Sequence, residues 1–211
     1  MSAGLTSETQ PGASPEERLR WRKALRQLSV ERRLALSADQ CAEFSEKICQ
    51  HLRDHFPQLA GMRVGFCWPV NNEPDLRPLM RAWIASGNPE FAALLPVVQG
   101  HAMPLAFRAW TPECPILADR FGIPTPSTGP FIQPQAVLIP VNAFDAAGYR
   151  IGYGGGFFDR TLASIKPTPL SIGVGFDLSR VDSVRPEAHD VRLDAMVTES
   201  GVFSSSPLPQ G

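Results

Sequence analysis

Ala136-Val137-Leu138-Ile139 is an apolar run with no polar alternation, stopped by Pro140. A strand that is apolar at every position must be covered on both faces, as a central strand of a parallel sheet is. Further strand segments lie on both sides of it in the sequence: Met62 to Trp68, Phe91 to Leu95 (ending at Pro96), Leu105 to Trp110, Leu170 to Phe176 and Ala195 to Thr198. Helical spacing appears between several of them. Leu76, Leu79, Met80 and Trp83 form one such stripe, and Cys41, Phe44, Ile48 and Leu52 form another. Ser14-Pro15-Glu16-Glu17 and Ser37-Ala38-Asp39-Gln40 each have the form of a capping box that opens a helix. Strands alternating with helices predict an α/β fold with a parallel or mixed sheet wrapped on both sides. Ligands in such folds bind beyond the carboxyl ends of the strands. Those ends carry Trp68 to Glu73, Pro140 to Asp145 with the segment behind it, and Asp177 to Asp190.

The segment behind Pro140 is the most informative for function. Arg150-Ile151-Gly152-Tyr153-Gly154-Gly155-Gly156-Phe157-Phe158-Asp159-Arg160 places four glycines in five positions. Glycine lets the backbone turn sharply and bring bare N–H groups close to a ligand. A basic residue stands at each end, and an aspartate closes the run where a helix is expected to begin. These are parts of a phosphate cradle: amides and a guanidinium for the anion, a carboxylate for Mg²⁺. The run is not a dinucleotide fingerprint, because the third glycine of G-x-G-x-x-G would fall on Phe157. It is not a P-loop either, since no Lys-Ser or Lys-Thr follows. A plain hairpin turn would need only one or two glycines.

Composition narrows the classes further. The 211 residues suffice for one domain with a real core. A net charge of -1 argues against a dedicated nucleic-acid binder. Cys41, Cys49, Cys67 and Cys114 contain no C-x-x-C, so reduced thiols in a cytoplasmic protein are expected. No membrane span and no signal-peptide layout is present in the sequence. A single domain over residues 14–203 is expected, with flexible tails at 1–13 and 204–211, and the chain is expected to be a monomer.

Several other residues have two readings on spacing alone. Arg22 and Arg26 stand i, i+4 on the basic first helix, either as a solvated face or as a fork for a polyphosphate. His51 and His55 also stand i, i+4, but no glutamate follows the first, and a solvated face is the simpler account. Trp68 and Glu73 flank a polar turn. They belong either to an ordinary loop or to a heterocycle site, with the carboxylate accepting ring N–H groups and the indole stacking. Asp190 is either a helix-start carboxylate or a second acid for a metal.

Taken together, these segments resemble the 5-formyltetrahydrofolate cyclo-ligase family. Pro140-Val141-Asn142-Ala143-Phe144-Asp145, Gly148, Arg150 and "IGYGGGFFDR" follow the family's P-x-x-A-F-D-x-x-G-x-R-x-G-x-G-x-G-[YF]-[YF]-D signature. "WRKALRQLSVERRLALS" is similar to its basic first helix, "GFCWPVNNEPDL" to its acidic turn, and "RPEAHDVRLDAMVTESGVF" to its C-terminal end. The resemblance implies a Rossmann-like three-layer fold with a mostly parallel central sheet. It implies ATP- and Mg²⁺-dependent conversion of 5-formyltetrahydrofolate to 5,10-methenyltetrahydrofolate, with ADP and phosphate released. ATP contacts then fall on Arg22, Lys23, Arg26, Arg150, Gly152, Tyr153, Gly154, Gly155, Gly156, Phe157 and Phe158. Folate contacts fall on Trp68, Glu73, Tyr153, Gly154, Gly155, Gly156 and Phe157, and Mg²⁺ ligands on Asp159 and Asp190. Arg150 and Asp159 are the expected catalytic pair.

The chain departs from the family pattern at several places. Arg22 stands where lysine is frequent, Gly155 where many members carry lysine, and Phe157-Phe158 where the pair is often tyrosines. Thr125 and Arg180 replace a frequent acid and a frequent glutamine. These departures leave open an alternative: a nucleotide-binding or RNA-associated regulatory module that keeps the fold without the reaction.

Overall fold

The computed structural model describes residues 14–204. Helix α1 (Pro15–Leu34) opens on the predicted capping box, with Ser14 accepting from the Glu17 N–H and Glu17 accepting from the Ser14 N–H. Helix α2 (Ala38–His55) opens in the same way on Ser37 and Gln40. Each box satisfies two N–H groups that the first turn leaves without partners, worth about 1 kcal/mol per cap. The chain continues through β1 (Arg63–Gly65), α3 (Arg77–Ala85), β2 (Ala92–Val98) and β3 (Leu105–Ala109). A small hairpin follows, β4 (Ile116–Ala118) with β5 (Pro124–Pro126). After β6 (Ala136–Pro140) comes a second hairpin, β7 (Ala143–Phe144) with β8 (Arg150–Ile151). Helix α4 (Phe157–Ser164) and strands β9 (Leu170–Val174), β10 (Ala195–Thr198) and β11 (Gly201–Ser204) complete the domain.

Seven strands form one sheet in the order β11-β10-β9-β6-β1-β2-β3. The inner five are parallel, and β11 and β3 close the edges as antiparallel strands. The apolar run of β6 lies near the middle, as its composition requires. Its Ala136 and Leu138 face a core shared with Ile48 and Leu52 of α2 and Leu79, Met80 and Trp83 of α3. Its Val137 and Ile139 face the opposite core, which includes Leu162 of α4. Helices on both faces make the fold three-layered, in agreement with the sequence expectation. Among the described residues, no helix is long and apolar enough to cross a membrane.

Three boundaries differ from the sequence expectation. β2 runs through Pro96 to Val98, because β1 has already ended at Gly65 and asks for no donor there. The Pro96 carbonyl instead accepts from the Thr125 hydroxyl. β1 is only three residues long, and the chain leaves the sheet after Phe66 donates to the Leu94 carbonyl. β11 is a short added edge strand, so Ser204, assigned to a tail, ends a strand instead. The remaining tail positions, 1–13 and 205–211, lie outside the described residues.

The strand order reverses between β1 and β6. From β1 the chain passes through α3 to β2 on one side, whereas β6 pairs with the other side of β1. Such a switch point opens a crevice beyond the carboxyl ends of the two strands. Helix α1 lies there. Its Leu25 joins Ala143, Ile151 and Val184 in a small third cluster instead of packing across the sheet.

Candidate active site

The carboxyl end of β6 leads directly into the β7–β8 hairpin. Asp145 is buried and serves this turn: Oδ1 accepts from the N–H groups of Ala147 and Tyr149, and Oδ2 from that of Val184. The hairpin delivers the chain into the glycine run. Gly154 and Gly156 adopt left-handed conformations, with φ of 92° and 62°, which glycine takes without the Cβ penalty. Gly156 is the N-cap of α4. Asp159 is therefore the third helical residue and not the cap. Among the described residues, the N–H groups from Tyr153 to Gly156 have no acceptor.

Arginines and carboxylates are interlocked around this loop. Arg150 is buried and pairs through Nη2 with Asp159 Oδ1 at 3.0 Å, while its Nη1 donates to the Val191 carbonyl at 2.7 Å. The Val191 N–H also donates to Asp159 Oδ1, so Oδ2 of Asp159 carries no hydrogen bond among the described residues. Arg22 forks onto Asp190, with Nη1 to Oδ2 at 2.6 Å and Nη2 to Oδ1 at 3.2 Å, and the Glu187 N–H donates to Oδ2 as well. Burial pushes the Asp190 carboxyl up, but the Arg22 fork and the Glu187 N–H outweigh it and hold the group below its usual value. His189-Asp190 lies in a loop, so Asp190 starts no helix.

Arg26 differs from the other two arginines. Its Nε donates to the Gly152 carbonyl at 2.6 Å, and no carboxylate pairs with it among the described residues. Its guanidinium lies against Gly154, where a Cβ would come within 3.0 Å of Nη2. Burial, and then the charge of Arg22, lowers its pKa, as expected for a cation without a counter-ion. Lys23 is exposed on a different face of α1.

The second half of the crevice follows β1. Asn71 and Asn72 turn the chain in left-handed conformations, with φ of 50° and 57°, which asparagine tolerates better than most residues. The turn buries Glu73, whose Oε2 accepts from the Val70 N–H at 3.1 Å. The Tyr153 hydroxyl donates to Glu73 Oε1 at 2.9 Å, so the glycine loop reaches the acidic turn directly. Trp68 is half-buried, with the Arg77 guanidinium over its ring at 4.7 Å and Trp110 against its edge.

The sequence profile of the 5-formyltetrahydrofolate cyclo-ligase family matches residues 18–199. The chain belongs to this family. A 5-formyltetrahydrofolate cyclo-ligase of Escherichia coli K12 is 29% identical over 182 residues, covering 82% of this chain and 97% of that protein. One from Mycolicibacterium smegmatis is 30% identical over 151 residues, 67% of this chain and 75% of its own length. The solution structure of Aquifex aeolicus 5,10-methenyltetrahydrofolate synthetase superposes with a TM-score of 0.74 at 27% identity, over 90% of this chain and 95% of that one. This cyclo-ligase-family chain is accordingly an enzyme, a ligase of folate one-carbon metabolism.

The family's expected site residues fall around one crevice, with exceptions. Arg22, Arg26, Arg150, Asp159, Asp190 and the glycine loop surround one end, and Glu73 with Tyr153 the other. Lys23 is solvent-exposed. Phe157 packs edge-on against Phe121 of the β4–β5 turn. At Gly155 a Cβ would come within 2.7 Å of the Phe157 ring, so the side chain many cyclo-ligases carry there requires that ring to move. His51 and His55 lie outside the crevice on α2. Among the described residues, no three His, Cys, Asp or Glu side chains cluster as a metal site of their own.

Sequence reasoning missed one residue, Arg33. It is 1% exposed and sits between Asn71, Asn142 and Tyr153. Its i+11 spacing from Arg22 places both on one face of α1, and that spacing is the signal that could have found it.

Proposed function

We propose that this chain performs the cyclo-ligase reaction with ATP and Mg²⁺: 5-formyltetrahydrofolate and ATP give 5,10-methenyltetrahydrofolate, ADP and phosphate. The observation that carries the reading is the pairing of two features. Among the described residues, four consecutive N–H groups from Tyr153 to Gly156 lack acceptors, and Arg26, the cation beside them, lacks a carboxylate. Both are complementary to a polyphosphate.

The formyl oxygen belongs to an amide and is a poor leaving group. Transfer of the γ-phosphoryl from ATP to that oxygen forms an O–P bond, breaks the bond to the β-bridging oxygen and releases ADP. N10 then attacks the formyl carbon and loses its proton, the C–O bond breaks, and phosphate departs with that bonding pair to leave the N5–C–N10 bridge. Both steps require placement and charge neutralisation more than covalent help from the protein. Arg150 and Arg26 would face the phosphates, and Glu73 would accept N–H donors of the pterin.

Asp159, whose Oδ2 has no hydrogen bond among the described residues, suits Mg²⁺, which is typically held by one or two carboxylates, phosphate oxygens and water. Asp190 could join only by releasing Arg22. When bound, the ion would neutralise the β- and γ-oxygens of ATP.

Mixing the protein with ATP, Mg²⁺ and 5-formyltetrahydrofolate should produce the near-ultraviolet absorbance of the methenyl product. ATP binding without any such absorbance would reject the ATP-dependent reaction for this chain.

A further inference from the structure

The Arg33 guanidinium is almost wholly removed from water, a position that arginine takes only when its donors are satisfied. Its Nε donates to the Asn71 carbonyl at 2.7 Å. Nη1 donates to Asn142 Oδ1 at 2.9 Å and to the Val141 carbonyl at 3.4 Å. Nη2 donates to the Tyr153 hydroxyl at 2.9 Å and lies 3.8 Å from Glu73 Oε1. Arginine has only donors, so the Tyr153 oxygen accepts here. It also accepts from Asn71 Nδ2 at 3.3 Å. Its single proton is left to point at Glu73 Oε1. With the Val70 N–H on Oε2, both oxygens of Glu73 receive donors, which is the pattern of a carboxylate and not of a carboxylic acid.

We propose that Arg33 is a positioning residue of the folate subsite: through Tyr153 it orients Glu73 as an acceptor, and its charge balances the buried carboxylate. The inference rests on the reading of Glu73 as the group that receives pterin N–H donors. Three ionisable groups face Glu73: Arg33 from α1, Tyr153 from the glycine loop and Cys67 from the end of β1. Burial raises the tyrosine and cysteine pKa values, and the nearby Glu73 charge adds to this, so both stay neutral. Burial also raises the pKa of Glu73 itself, and Arg33 is the first group to oppose it. Removing Arg33 therefore leaves Glu73 easier to protonate. Folate binding should then fail at a higher pH as acid is added.

The experiment is binding of 5-formyltetrahydrofolate, followed by tryptophan fluorescence between pH 5 and 9, with ATP binding measured in parallel. Arg33→Met should move the acid limb of folate affinity upward by about one pH unit or more, the usual effect of losing an opposite charge at this range. ATP affinity at pH 8 should stay within about twofold. An unmoved limb in folded Arg33→Met would overturn the proposal. Arg33→Lys keeps the charge but loses the fork, and it decides the matter where the Met variant does not fold. Its limb should stay near that of the wild type while folate affinity falls severalfold at every pH. Unchanged folate affinity in the Lys variant would equally overturn the positioning role. Glu73→Gln separates the two readings, because it should bind folate weakly with no acid limb at all. If that variant keeps both wild-type affinity and the limb, the folate reading of Glu73 fails, whatever the Arg33 variants do.

Discussion

Arg150 and Asp159 stand nine residues apart and pair at 3.0 Å across the glycine loop. The cation proposed for the phosphates thus neutralises the acid proposed for Mg²⁺. Arrival of a magnesium nucleotide would exchange these partners, with phosphate oxygens meeting Arg150 and the metal meeting Asp159. Arg22 and Asp190 form a second such pair, next to Val191, which bonds both Arg150 and Asp159.

Asp159→Asn tests the metal assignment. An amide at this position can still accept the Val191 N–H through Oδ1 and stay in the first turn of α4, so the folded state should survive. It loses the negative charge, and Mg²⁺-dependent turnover should fall by at least a hundredfold. A stable Asn variant with normal turnover would remove Asp159 from the metal site.

Arg150→Ala should weaken ATP binding far more than folate binding. A charge-assisted contact is worth about 1.5–3 kcal/mol, so the loss should be roughly tenfold to hundredfold. Isothermal titration with a non-hydrolysable ATP analogue measures it directly, and an unchanged dissociation constant would exclude Arg150 from the nucleotide site.

Glu73→Gln retains an oxygen for the Tyr153 hydroxyl but carries no charge. The folate KM should rise about tenfold or more while the ATP KM is little changed. Impairment of ATP alone would mean that the turn after β1 belongs to the nucleotide.

The Arg22–Asp190 pair has a pH signature. The folded pKa of Asp190 lies below its ordinary 3.8, so its stabilisation is complete above that value and is lost as pH falls through the folded pKa. Asp190→Asn should lower the urea midpoint at pH 7, and the gap to wild type should close as pH falls below about 3.8. A gap that stays constant down to pH 3 would show that the pair contributes nothing.

The parts of this molecule legible in its sequence were those set by local chemistry. The capping boxes at Ser14 and Ser37 depend on residues three apart, and the β6 run declares its two-sided burial by composition alone. Boundaries set by neighbouring strands were less legible: β2 passes Pro96 because β1 stops short. The start of α4 was misjudged because Gly156, a residue without a capping side chain, forms the cap by its backbone conformation. Arg33 was legible only as a residue on the Arg22 face of α1, and its burial was not. Nothing near it in sequence says that it is buried, because its partners Asn71, Asn142 and Tyr153 lie 38, 109 and 120 residues away.

The placement of α1 separates the assembly of the site from the folding of the sheet. The helix supplies Arg22, Arg26 and Arg33, yet its buried Leu25 joins neither of the two cores that sandwich the strands. Regions held mainly by polar contacts and little apolar area open at lower free energy than the whole protein. Amide hydrogens of α1 should therefore exchange with solvent sooner than those of β6 and β9. Warming should silence the enzyme while its sheet is still intact, and bound substrates should slow exchange in this helix first.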